Sequence, residues 1–140
     1  MRIVAAVLAV LISSFWLCPS GWTEEIILSG VPAIKISEGG TDRVVENLKA
    51  DEASAAECTI TKNGDKYLWA SRNNVELTPI QSGAFVTFVA TSGAGYVRMT
   101  LPDVKDAVAA ASMDEAEKKY DYVEHMLIGL KSVTYYGKAK

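Results

Sequence analysis

The sequence predicts an α+β domain in which an antiparallel β-meander of about five strands carries a C-terminal amphipathic helix on one face. The meander is either open or curled into a half-barrel. Two observations predict this fold. Short apolar runs separated by Gly or Asn recur between residues 58 and 101, as in hairpin-linked strands. Apolar residues then recur at helical spacing between residues 113 and 130.

The first residues have the pattern of a secretory signal. Arg2 gives a positive start, Ile3 to Cys18 is uncharged, and Pro19 breaks the run. The run is shorter than the roughly 17–25 residues of a membrane-spanning helix. We therefore predict that residues 1–23 are a cleavable signal peptide and that the protein is a periplasmic or secreted bacterial protein. An uncleaved inner-membrane anchor is the alternative, and it would be the chain's only membrane contact.

Residues 24–57 predict an N-terminal arm followed by a short helix or loop. Pro32 fits an edge strand better than a central one. Thr41 is a suitable N-cap for a helix over 41–56 that would place Val44, Val45 and Leu48 on one side.

We predict that residues 58–140 form the meander and the helix, and that these make one compact domain with the preceding arm. The predicted strands are Cys58–Thr61, Lys66–Ser71, Val75–Ile80, Ala84–Thr91 and Tyr96–Leu101. Each gap contains Gly or Asn, which tolerate the positive φ of tight hairpin turns. Alternation leaves both faces of the sheet rather apolar. The sheet is therefore covered on both sides, curled into a small barrel, or exposes a binding face.

The C-terminal quarter predicts helices. Asp103 can cap a helix over 104–111, and Ser112 with Glu115 forms a capping box for the next one. The apolar stripe of that major helix, over 113–130, comprises Met113, Ala116, Tyr120, Val123, Leu127 and Leu130. The segment 132–136 is rich in β-branched and aromatic residues and predicts either a last strand or an extension of the helix.

Composition excludes several functions. With 14 basic and 17 acidic residues the net charge is −3, whereas nucleic-acid-binding domains are usually basic. One His and two Cys are too few for a zinc finger or a disulfide framework. Gly93-Ala94-Gly95 lies between two predicted strands, so it predicts a hairpin turn and not a phosphate loop. The sequence predicts no metal and no cofactor.

The strongest candidate site is an aromatic sheet face with two arginines. Its residues are Tyr67, Trp69, Arg72, Phe85, Tyr96 and Arg98. Aromatic side chains combined with Arg are typical of surfaces that bind proteins or aromatic and sugar rings. The leading hypothesis is thus a non-enzymatic binding module for a protein, peptide or glycan of the cell envelope. A second core layer is the alternative explanation of the same residues.

The rival hypothesis is a small hydrolase. Cys58 and His125 could form a thiol nucleophile and its base, with Asp121 orienting the histidine. An unrecognised pair of acids is the other version. No nucleophile motif surrounds Cys58. A buried Cys and a solvent-facing His explain the same residues without catalysis.

Overall fold

The computed structural model of this chain describes residues 23–101 and 119–140. Its elements, in chain order, are β1 (Glu25–Gly39), β2 (Asp42–Asn47), α1 (Ala50–Ala55), β3 (Cys58–Asn63), β4 (Lys66–Trp69), a 3-10 turn (Ala70–Arg72), β5 (Val75–Ser82), β6 (Phe85–Ala90), β7 (Gly95–Thr100), β8 (Tyr122–Ile128) and β9 (Lys131–Ala139). The predicted signal peptide, apart from Thr23, and the predicted helix over 104–111 lie outside the described residues. In the part of the chain that the structure describes, no helix is both long and apolar enough to cross a bilayer.

The strands form a closed eight-stranded antiparallel barrel with one strand outside it. Neighbouring strands pair in the order β2-β1-β3-β4-β5-β6-β7-β8-β9, and β1 also pairs with β9 to close the barrel. The long strand β1 makes this closure possible. Its first half pairs with β3, its second half pairs with β2, and β9 runs along residues 30–39.

The predicted α+β class is therefore wrong: the described chain is nearly all β, and its α-helix is one short segment. The error lies in residues 120–130, since 113–118 are outside the described residues and Lys119 has helical geometry. Residues 122–128 form β8, and Leu127, predicted to be core, is 53% exposed. Gly129, with φ of 63°, starts a turn into β9, and strand alternation replaces the helical period.

The N-terminal segment also differs from the prediction. The expected arm is the longest strand of the barrel, and Pro32 is accommodated beside a register shift against β9. The expected helix start at Thr41 is instead a tight turn with Gly40 at φ 64°, followed by β2. The short helix begins later, at Ala50.

The barrel interior is filled by side chains. Strands lie at all five positions predicted between residues 58 and 101, and their inward residues form one core with β1 and β8. Its largest fully buried side chains include Trp69, Tyr122, Phe88, Ile60, Glu124 and Val97. Eight strands enclose just enough space for such filling. Any ligand site of this barrel is consequently at its ends or on its outer wall.

Candidate functional site

The predicted aromatic face is divided by the barrel wall. Tyr67 and Trp69 point inward on β4 and pack in the core, and Arg72 reaches inward from the 3-10 turn. Phe85, Tyr96 and Arg98 are on strands whose buried residues alternate with them, so they lie on the outer wall. The six residues therefore form two groups of three, one on each side of the barrel wall.

The outer group makes two ring contacts. The Arg98 guanidinium lies 3.9 Å from the centroid of the Phe85 ring, a cation–π arrangement. Tyr96 stacks on His125 with 5.2 Å between ring centroids and remains 37% exposed. The His125 Nδ1 is 2.8 Å from the Thr134 hydroxyl. This surface offers a stacked pair of rings to solvent.

Two residues of the inner group, Trp69 and Arg72, form a buried polar network around Glu124. The Trp69 indole N–H donates to Glu124 Oε1 at 2.9 Å, and the Arg72 guanidinium donates to Oε2 at 2.9 Å. The Glu124 side chain is 0% exposed. Its two oxygens are therefore bound by two different elements, which fixes the carboxylate inside the barrel.

Arg72 is fully engaged within the protein. Besides Glu124, it donates to the carbonyls of Ser71, Ala56 and Glu57, and its Nε lies 3.1 Å from the Met126 sulfur. These contacts account for all five N–H groups of a guanidinium. Arg72 thus ties the residues after α1 to β8, and it has no donor left for a ligand.

The titratable groups of this network have perturbed pKa values. Burial raises the pKa of the Glu124 carboxyl, although Arg72 and the Trp69 N–H favour its charged form. Burial is also the main cause that raises the pKa of the Cys58 thiol and of the Tyr122 hydroxyl. The Tyr122 hydroxyl is buried without a hydrogen-bond partner among the described residues. These shifts describe a dry interior in which charge is disfavoured.

The residues of the hydrolase hypothesis are not assembled. Cys58 is 0% exposed inside the barrel, whereas His125 stacks on Tyr96 at the outer wall. Asp121 accepts from the Ala139 backbone N–H at 3.0 Å. It also precedes His125 by four residues of extended chain, roughly 13 Å. This arrangement lacks the nucleophile–base contact that thiol catalysis requires.

One end of the barrel carries a charged cavity of about 660 Å³. It lies between the β1–β2 hairpin and α1, and Arg72 and Met126 contribute to its lining. Lys35 Nζ is 2.9 Å from Glu46 Oε2, and hydrogen bonding to Glu46 raises the pKa of Lys35. Glu52 accepts from the Lys49 backbone N–H at 3.0 Å, and Arg72 is bound to Glu124, so most carboxylates and guanidinium donors here already have partners.

The opposite end carries an apolar cavity of about 400 Å³. Its lining comes from strand ends and comprises Ile27, Tyr67, Pro79, Gln81, Val86, Phe88, Met99 and Leu101. The register places Gln81, Val86 and Met99 in one row across three strands. Beneath that row the rings of Tyr67 and Phe88 lie 5.3 Å apart. We call this cavity the apolar mouth.

Sequence reasoning found Tyr67 but missed the other residues of the apolar mouth. Strand alternation in the sequence puts Val86, Phe88 and Met99 on one face of the sheet, and that shared face is the available signal. The predicted aromatic face instead groups Tyr67 with Phe85, which puts β4 one residue out of step with β6. Glu124 was missed because it was placed on a helix, where a carboxylate points to water.

No family model matches this chain, and no curated protein or solved structure shows significant similarity to it. Among the residues that the structure describes, no group of three or more His, Cys, Asp or Glu side chains is arranged to hold a metal ion.

Proposed function

We propose that this chain is a non-enzymatic binding module of the bacterial cell envelope that holds a small apolar or aromatic molecule in the apolar mouth. The observation that carries the proposal is a cavity of about 400 Å³ whose wall includes the Tyr67–Phe88 ring pair. Small-molecule sites are concave, predominantly apolar and carry few polar groups. Eight-stranded barrels can hold one small ligand at this scale.

The lining defines the chemistry of the ligand. Phe88 is buried and forms the floor, while Val86 and Met99 stand above it. Gln81 is the uncharged polar side chain at the rim, so it can bond to one polar substituent. A flat or branched hydrocarbon group would enter the mouth and a polar end would remain near Gln81 and solvent. The compartment rests on the signal-like residues 1–23.

The test is binding of the neutral fluorescent probe N-phenyl-1-naphthylamine. Val86→Phe would add volume inside the mouth, and Val89→Phe adds the same volume on the outer face of the same strand. We expect saturable fluorescence enhancement for the wild type and the Val89 variant, and at least tenfold weaker binding for the Val86 variant. Circular dichroism checks that both variants are folded. Equal binding by all three proteins, or no saturable binding by the wild type, would refute the proposal.

The exposed Tyr96–His125 stack favours a second candidate function, recognition of an envelope peptide or glycan on the outer wall. An exposed ring pair can stack on a sugar or a side chain without displacing any core residue. Replacing Tyr96 by Ala should abolish capture of such a partner from envelope extract. Capture that survives this change would remove the outer wall as its site.

A further inference from the structure

The outside strand β2 has an open edge. All six of its residues are exposed, and within the described ranges it pairs only with β1. An open strand edge presents a row of unpaired N–H and C=O groups that can pair with another strand. β2 contains no Pro, but three of its six residues are charged, and both Pro and charged side chains can protect such edges. Val44 and Val45 are 51% and 58% exposed on it.

The charges on β2 are partly neutralised inside the hairpin. Arg43 Nε lies 3.1 Å from Glu38, and Glu46 is paired with Lys35 at 2.9 Å. Because β1 supplies both counter-charges, these two side chains of β2 repel a second strand less than unpaired charges would. Asp42 is the third charged residue of β2.

Symmetry restricts how two such edges can pair. Residues directly opposite each other in an antiparallel pair share a face, so a twofold axis places one residue opposite its own copy. If the twofold axis passes through Arg43 or Glu46, that residue lies opposite its own copy and two like charges meet. Centring on Val44 places Asp42 opposite Glu46 of the other copy. Centring on Val45 brings no like charges into opposition, because Arg43 then faces Asn47.

We propose that β2 is a homodimerisation edge, on which a second copy of this chain pairs antiparallel with the axis at Val45. The apolar row formed by Ile36 and Val45 on the outer face then continues into the same row of the second copy. A six-residue edge is a small interface, so the dimer is weak and concentration-dependent. This assembly is independent of the ligand in the apolar mouth, which lies at the other end of the barrel.

The register gives a sharp test by disulfide trapping. Val45→Cys places two thiols directly opposite each other, at about 4.5–5.5 Å between Cα atoms. Val44→Cys is the matched control, because its copies are diagonal neighbours at about 7–8 Å, beyond the usual disulfide limit of about 6.8 Å. Both variants carry Cys18→Ser, and the native Cys58 is fully buried.

We expect oxidation to produce a covalent dimer at least tenfold faster for Val45→Cys than for Val44→Cys. Sedimentation of the unmodified protein should show a reversible monomer–dimer equilibrium that Val45→Lys shifts to monomer while circular dichroism is unchanged. Equal trapping of both variants overturns the register. A wild type that sediments as a monomer throughout the accessible concentration range overturns the dimer proposal. Binding of an extended peptide to β2 would not rescue it.

Discussion

Replacing Arg72 by Met should destabilise the fold strongly, and more at neutral than at acidic pH. The substitution keeps an unbranched apolar chain in place of the guanidinium and removes the partner that lies 2.9 Å from Glu124. Glu124, which is 0% exposed, would then hold a charge whose remaining partners are the neutral Trp69 N–H and the Cys58 thiol.

The size of the effect follows from burial. Removing one partner of a buried ion pair lowers the free energy of unfolding by about 3–5 kcal/mol, since an uncompensated charge remains. With the urea dependence usual for a small domain, this shifts the unfolding midpoint by about 2 M. Arg43→Met is the matched control. Arg43 pairs with Glu38 at 3.1 Å on the exposed β1–β2 hairpin, and we expect its replacement to lower the free energy by about 1 kcal/mol or less.

The pH dependence has a definite sign. The pKa of Glu124 in the folded protein lies above its ordinary value of 4.5, so the folded state binds a proton more tightly than the unfolded state. Stability therefore falls as pH rises from 4.5 through the folded pKa. Without Arg72 the folded pKa rises further, so this window of declining stability extends to higher pH.

Urea unfolding followed by circular dichroism at pH 4.5 and pH 8 tests both statements. The difference between wild type and Arg72→Met should be largest at pH 8 and clearly smaller at pH 4.5. Adding Glu124→Gln to the variant should recover much of the loss at pH 8, because the amide oxygen still accepts from Trp69 and carries no charge. A loss that is equal at both pH values, or no larger than that of Arg43→Met, would refute the reasoning.

Three further predictions concern other parts of the molecule. The Cys58 thiol should resist aromatic disulfide reagents in the native protein and react only on unfolding, because it is buried and its pKa is raised; labelling at neutral pH without denaturant would contradict this. Gly30→Ala should lower the free energy of unfolding by about 1–3 kcal/mol, because the added carbon meets the Tyr122 ring. Tyr122→Leu in the same chain should recover part of this loss, and thermal unfolding of the two variants measures both effects. Protein recovered from periplasm or medium should have an intact mass that corresponds to loss of about the first 23 residues, and a full-length species confined to the membrane fraction would count against cleavage and favour the uncleaved anchor.

Local signals in the sequence located the strands between residues 58 and 101. Turn residues such as Gly64 and Gly83 adopt the positive φ that hairpins require, and turn chemistry acts over a few residues. These signals do not specify which strands meet at long range. The pairing of β1 with β9 closes the barrel, and no local pattern in either segment reports it.

The error at β8 has a specific physical origin. Val123 and Leu127 are four residues apart and fit a helical stripe, but Tyr122, Glu124 and Met126 also fit a strand that has one inward face. Choosing the strand requires a charged residue in the core. Glu124 is tolerated there because Trp69 and Arg72 bind it, and both lie more than fifty residues away in the chain. The inward face of β8, and with it the inner network, therefore could not be predicted from the local pattern.

The closure of the barrel also constrains when the protein can fold. Residues 30–39 pair with residues 131–139, so β1 lacks its closing partner until residues 131–139 are available. Closing so long a loop carries an entropic penalty before any contact rewards it, and such non-local pairing slows folding. While β1 and β2 are the only strands that have emerged, they form an isolated hairpin, which is marginally stable in water; β3 to β7 can then add to it, but the barrel stays open without β9. The barrel therefore cannot close while residues 131–139 are still inside the ribosome, and its core stays open to solvent until β9 has emerged.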